Sequence, residues 1–127
     1  MSMPTIAKRL QRRFLLFTAD PAIEARLRAV VPEGWDMQVV QSLEEVGDWA
    51  EILLFRFILL DLDDPRDFDP LAVIRALRTE YMLQSAVFCF GGDAALRDEM
   101  RLNRADRFFE RDEIVGRLES FLQQYGW

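Results

Sequence analysis

The densest chemistry in the chain is a run of carboxylates, Asp61, Asp63, Asp64, Asp67 and Asp69, that follows directly on the apolar segment Phe57-Ile58-Leu59-Leu60. Carboxylates in such a cluster are the ligands of hard divalent cations. The spacing excludes a helix–loop–helix calcium site: counted from Asp61, the fifth position is Pro65, the sixth is Arg66 where glycine is needed, and the twelfth is Ala72 where glutamate is needed. There is no histidine and a single cysteine, which removes the common zinc and copper sites and every mechanism built on an imidazole base. Cys89 lies within Val87-Phe88-Cys89-Phe90 and reads as a core thiol.

The elements that must position these groups alternate. Five apolar stretches, Phe14 to Phe17, Met37 to Val40, Arg56 to Leu60, Ala86 to Phe90 and Arg107 to Phe109, predict strands. Between and after them, apolar residues recur at helical spacing. They are Ile23, Leu27, Val30 and Val31; Leu43, Val46, Ala50 and Leu53; Leu71, Ile74, Leu77 and Tyr81; Leu96 and Met100; and Ile114, Leu118, Phe121, Leu122 and Tyr125. Each helix has a candidate cap, Asp20, Ser42, Asp69, Asp93 and Asp112; proline follows Asp20 and Asp69, and Ser42 with Glu45 forms a capping box. Gly34, behind Pro32, is the expected stop of the first helix. Strands apolar on both faces and alternating with helices predict a doubly wound (βα)5 domain with a parallel sheet, and the functional crevice of such a sheet lies beyond the strand C-terminal ends. Thr18, Ala19 and Asp20, Asp61 to Pro65, Gly91 and Gly92, and Glu110 and Arg111 occupy those ends.

In that order and spacing the chain resembles the receiver domain of bacterial response regulators. Phe14 to Ile23 looks like that family's first strand and loop, Leu60-Asp61 through Pro65 like its acceptor strand, and Arg104 to Arg111 like its fifth strand. Asp61 stands 43 residues after Thr18, 30 before Gly91 and 50 before Arg111. The resemblance implies a three-layer, flavodoxin-like fold with a five-stranded parallel sheet in the order 2-1-3-4-5, and it puts Asp61 at the phosphoacceptor position. It also marks the departures. Thr18 and Ala19 stand where the family has magnesium-binding acids, leaving Asp20, which is expected to be used as a helix cap. Gly91 replaces the hydroxyl residue that follows the phosphoryl group, Arg111 replaces the fifth-strand lysine, and Phe108 occupies the switching aromatic position and is expected to stay buried. No metal is expected; under the alternative reading magnesium would use Asp20, Asp61 and Asp63. A fixed ion pair between Arg111 and Asp61 is a further expectation, because a guanidinium fork matches a carboxylate.

Two other families are set aside on their motifs. Asp61-Leu62-Asp63 is similar to the nucleophile motif of haloacid dehalogenase-like phosphatases, but Asp64-Pro65 follows where they have glycine-threonine. A dinucleotide-binding turn would need glycines at Thr18-Ala19-Asp20-Pro21.

At 127 residues, half of them hydrophobic and 30% charged, one globular domain is expected, with residues 1–12 as a basic arm and 13–127 as the domain. The longest apolar run, Ile52 to Leu60 with Arg56 inside it, is far shorter than the roughly 20 residues of a membrane span. No secretory signal core follows Lys8, Arg9, Arg12 and Arg13, so a cytoplasmic location and no membrane are expected. A net charge of −6 disfavours nucleic acid. No DNA-binding segment is expected after Trp127, and output is expected to pass through another protein. The expected activity is therefore non-enzymatic: contact with a protein partner, or with a second copy, through the face of the fourth helix, fifth strand and fifth helix, independent of phosphorylation. The alternative is a phosphoacceptor charged on Asp61 by a histidine kinase.

Overall fold

The computed structural model describes residues 10–63 and 68–126. Five parallel strands form one sheet in the order β2-β1-β3-β4-β5: β1 (Arg12–Phe17), β2 (Trp35–Val39), β3 (Phe57–Asp61), β4 (Ala86–Phe90) and β5 (Arg107–Phe109). The helices are α1 (Pro21–Val30), the short α2 (Trp49–Ile52), α3 (Pro70–Arg75), α4 (Ala94–Leu102) and α5 (Ile114–Gln124). The doubly wound fold and the strand order expected from the sequence are both present.

Alternation along the strands builds two cores, because successive side chains point to opposite faces. Phe14, Leu16, Phe57, Leu59, Phe88 and Phe90 pack with Ile23 and Leu27 of α1 and Ile114, Leu118 and Phe121 of α5. Leu15, Phe17, Ile58, Leu60, Val87 and Cys89 face the other way, onto Ile52, Ile74, Leu77 and Met100. Stacked rings reinforce the first core, with centroids 4.7 Å apart for Phe14–Phe57 and 4.6 Å for Phe88–Phe121. Cys89 is fully buried in the second core, and burial pushes its thiol up to about 12, which leaves it no nucleophilic role.

The second helical stretch departs from expectation. A single amphipathic helix over Leu43 to Leu53 is replaced by a 3-10 turn, Leu43–Glu45, and then α2. Gly47 adopts φ +131°, a conformation that interrupts a helix, and Asp48 restarts it by accepting the Ala50 and Glu51 N–H groups. Leu53, expected on the core stripe, is exposed as a result, and so is Val30 at the end of α1. The Glu45 carboxylate does reach back to the Ser42 and Gln41 N–H groups.

Caps at Asp20, Asp69 and Asp93 accept first-turn N–H groups as expected. Asp112 does not. A turn closed by Glu113 N–H to Glu110 O delays α5 to Ile114, and the Glu113 carboxylate accepts the Glu110 N–H instead. Helix α3 widens into a π turn over Ala76–Glu80, which brings Arg78 to 5% exposure. Its guanidinium donates to Leu83 O, Ser85 O, Arg104 O and Asp106 Oδ2, and so ties together the connections that enter β4 and β5. Desolvation holds the Arg78 pKa below the ordinary arginine value, and the Asp106 charge opposes that shift. No helix among the described residues is long and apolar enough to cross a membrane.

Candidate functional site

Register delivers the site. Phe17 pairs with Leu60 across β1 and β3, so the next residues, Thr18 and Asp61, are neighbours. Asp61 in turn pairs with Phe90 across β3 and β4, and Phe90 with Phe109 across β4 and β5, which brings Gly91 and the Glu110-Arg111 segment to the same edge.

Asp61 is completely buried, yet its carboxylate is well supplied with donors. Oδ2 accepts the Thr18 hydroxyl at 2.7 Å. Oδ1 accepts Arg111 NH1 at 2.8 Å and the Asp63 backbone N–H at 2.9 Å. A buried carboxylate so served stays inexpensive, because both oxygens exchange water for short, charge-assisted partners. Thr18 also accepts the Asp20 N–H on the same hydroxyl oxygen at 3.1 Å, and its carbonyl accepts Gln41 Nε2 at 3.0 Å.

Arg111 spreads over three carboxylates rather than seating its fork on one. NH1 donates to both Asp61 Oδ1 and Asp63 Oδ2, the latter at 3.0 Å, while NH2 pairs with Asp20 Oδ2 at 2.5 Å. The guanidinium also lies over the Phe90 ring, 5.5 Å from its centroid. The hydrogen bond to Asp61 is the largest influence raising the Arg111 pKa, with Asp20 and Asp63 adding to it and burial opposing it. Asp20 is held below the usual carboxylate value by its hydrogen bond to Arg111; burial works against that, and the Ala22 N–H adds to it. Asp20 therefore both caps α1 and pairs with Arg111.

Asp63 is the least expected member. Its Oδ1 accepts the Gly92 N–H at 2.7 Å while Oδ2 faces Arg111. Gly91, at φ +74°, lies so close that an added Cβ would stand 2.0 Å from Asp63 Oδ2. A hydroxyl-bearing residue at position 91 and Asp63 in this rotamer therefore exclude one another. Arg97 of α4, unremarked in the sequence, completes the arrangement: it donates to Gly91 O at 2.8 Å and Phe109 O at 3.1 Å and faces Glu110. The only sequence signal for Arg97 is its position one turn after the Asp93 cap, too common a feature to single it out. Ala19, half-buried, brings no polar group. Phe108 is half-buried rather than buried, its ring covered by the Arg101 guanidinium at 4.8 Å. Asp64, Pro65 and Asp67, together with Lys8, Arg9 and Trp127, lie outside the described residues.

The magnesium ion that receiver domains hold needs open carboxylate lone pairs converging at about 2.0–2.1 Å in near-octahedral geometry. The side chains present do not fit it. The point where Asp20, Asp61 and Asp63 converge is filled by the Arg111 guanidinium, and the remaining Asp61 oxygen is turned to Thr18. Among the described residues no group of three or more histidine, cysteine, aspartate or glutamate side chains is placed to hold a metal ion.

No protein-family model matches this sequence, and no curated protein is significantly similar to it. Solved structures are similar. The phosphorylated cyanobacterial phytochrome response regulator RcpA superposes with a TM-score of 0.70 at 13% identity, over 91% of this chain and 94% of that one. A signal receiver domain from Bermanella marisrubri gives 0.61 at 24% identity, over 87% and 97%. A response regulator of red light signalling in R. palustris gives 0.64 at 18%, over 88% and 92%. The fold is that of response-regulator receiver domains, a CheY-like, flavodoxin-like sheet with its crevice in the expected place.

Proposed function

We propose that this chain is a receiver-fold signalling module that works in the cytoplasm by protein–protein contact and without phosphoryl transfer, its acceptor-position aspartate being used to hold the crevice together. The observation that carries this reading is the state of Asp61. Both of its oxygens are engaged, one by the Thr18 hydroxyl and the other by Arg111 and the Asp63 N–H, and the side chain has no exposure. A nucleophilic carboxylate must present a free oxygen to the incoming phosphorus, with a cation beside it to neutralise the phosphoryl charge. Here the neutralising group is an arginine already bound to that carboxylate.

A separate set of contacts supports the surface that a partner would read. Arg97 fastens α4 to the ends of β4 and β5, and Arg101 lies over Phe108, contacts that favour one arrangement of α4 against β5. A protein partner or a second copy docking there would meet a constant surface.

The test is a titration of the protein with magnesium and the phosphoryl mimic beryllofluoride, followed by backbone NMR shifts at Asp61, Gly91 and Arg111. Unchanged shifts at millimolar magnesium are expected. Saturable changes centred on Asp61, or an acyl phosphate formed there by a histidine kinase, would establish the phosphoacceptor reading instead.

A further inference from the structure

We propose that the outer face of α2, centred on Trp49 and Leu53, is a docking surface for a cationic amphipathic segment, and that its occupant is the N-terminal arm of the same chain, residues 1–10. The proposal does not depend on the state of Asp61, and it concerns a face other than α4–β5–α5.

The exposed pair comes from the break at Gly47-Asp48. Leu53 N–H donates to Trp49 O at 3.0 Å, so the two side chains stand one turn apart on one face. Trp49 is 46% exposed and Leu53 52%, while Ala50, Ile52 and Leu54 are buried. A tryptophan and a leucine side by side in water form an apolar anchor, because covering them removes apolar area from solvent. Charge decides what covers them. Residues 42–55 carry Glu44, Glu45, Asp48 and Glu51 and no lysine or arginine. Glu45 and Asp48 accept backbone N–H groups, which satisfies their oxygens without neutralising them. Among the described residues none of the four acids has an ion-pair partner. An apolar pair within an uncompensated negative rim disfavours an acidic occupant and favours a cationic one.

The chain supplies such a segment next to the patch. Residues 1–13 hold Lys8, Arg9, Arg12 and Arg13 and no acid, and Met3, Ile6 and Leu10 recur at i, i+3 and i+7, a helical apolar stripe. Leu10, the last residue of that stripe and the first one described, is 64% exposed. The root of the arm is fastened beside the end of α2. Leu10 O and Gln11 O accept the Arg56 guanidinium, each at 3.3 Å, and the Arg13 guanidinium lies over the Phe55 ring, 4.6 Å from its centroid. Phe55 and Arg56 follow Leu53 directly after Leu54. From that root nine residues span about 14 Å as a helix and about 30 Å extended, whereas Trp49 and Leu53 are separated by about 5 Å of helix axis. Met3, Ile6 and Leu10 can therefore cover the pair while Lys8 and Arg9 extend to the acidic rim.

A nitroxide spin label on Ser2→Cys in the full chain tests the proposal by NMR. Cys89 is fully buried and its thiol is pushed up to about 12, so the introduced cysteine alone takes the label. The label should abolish the indole N–H signal of Trp49, identified by its loss in Trp49→Phe, and weaken that of Trp35, which packs on the opposite side of the sheet, much less. Lys8→Glu/Arg9→Glu should restore the Trp49 signal, and so should Leu53→Ser; these positions lie in the arm or on an exposed face, so the fold is expected to survive each change. Mixing labelled chains with label-free, isotopically enriched ones should leave Trp49 intact, as contact within one chain requires. Equal weakening of Trp49 and Trp35 would overturn the proposal, and so would a Trp49 signal untouched by the label. Loss in the mixed sample would overturn it in favour of a second copy as occupant. Persistence of the loss in Lys8→Glu/Arg9→Glu would overturn the charge pairing on which the choice of occupant rests.

Discussion

The guanidinium of Arg111 donates to the fully buried Asp61 carboxylate across 50 residues of sequence, at 2.8 Å, and in doing so closes the crevice that the sheet opens at its C-terminal edge. Through NH2 it reaches the start of α1, and through Asp63 it reaches the β4–α4 turn. Four separate strand ends are thereby joined around one side chain.

Thr18 is the neutral counterpart of that ion pair. Thr18→Val keeps the branched shape and deletes the hydroxyl, leaving Asp61 Oδ2 without its donor in a fully buried position. A hydrogen bond to a buried charged acceptor is worth about 1.5–3 kcal/mol. Urea unfolding should show that loss as a lower midpoint with an unchanged slope, and Thr18→Ser should recover most of it. An unaltered midpoint in Thr18→Val would show that the hydroxyl does not serve the carboxylate.

Acid should release the Asp20 arm of the network. Its folded pKa lies below the ordinary value of 3.8, chiefly because of the Arg111 hydrogen bond. A depressed carboxylate contributes stability that is complete above the unfolded pKa and is lost as pH falls through the folded one. Asp20→Asn isolates this contribution, since asparagine caps a helix about as well as aspartate does. The variant should be less stable than the wild type above about pH 5, by at most about 1 kcal/mol because the pair is partly exposed, and the two should converge as pH falls through the folded pKa of Asp20, which lies below 3.8. A difference that persisted in acid would have to come from the cap rather than from the charge.

Gly91 and Asp63 should be coupled. Gly91→Ala meets two obstacles, a positive φ that costs a side chain about 1 kcal/mol and a Cβ that runs into Asp63. The alanine should destabilise by about 2–4 kcal/mol with Asp63 present and by about 1 kcal/mol in an Asp63→Ala background, where only the backbone penalty remains. Additive effects in the double-mutant cycle would separate the two residues.

Much of this site was legible one residue at a time. The apolar run Phe57 to Leu60 announces a buried strand, and Asp61 at its end announces a carboxylate at the crevice, because strand-forming residues and a parallel topology suffice to place it. Asp20 reads as a cap from Asp-Pro alone, and it is one. The Gly47-Asp48 break in the second helix was equally present as residues, but its apolar spacing of Leu43, Val46, Ala50 and Leu53 carried the opposite signal. A glycine at φ +131° followed by a capping aspartate outweighed that periodicity.

Apart from the pair of Arg111 with Asp61, expected from the match of a guanidinium to a carboxylate and present at 2.8 Å, the partnerships were not legible in this way. That Thr18 is a donor to Asp61 depends on the register of β1 against β3. That Asp63 fills the space a side chain at position 91 would take depends on a positive φ at Gly91 and the approach of two loops that are 28 residues apart in sequence, counted from 63 to 91. Arg97 gains its acceptors only because β4 and β5 end beneath it.

Periodicity, strand composition and capping residues are local properties, set by backbone sterics and by which side chains prefer to leave water, and from them the chain's own sequence determines a doubly wound sheet with aspartate at its central edge. Whether that aspartate is open or engaged depends on distances between segments far apart along the chain, which are a consequence of how two cores close on the sheet. Only the folded molecule divides Arg111 among Asp20, Asp61 and Asp63, and with those contacts the crevice acquires a cation of its own.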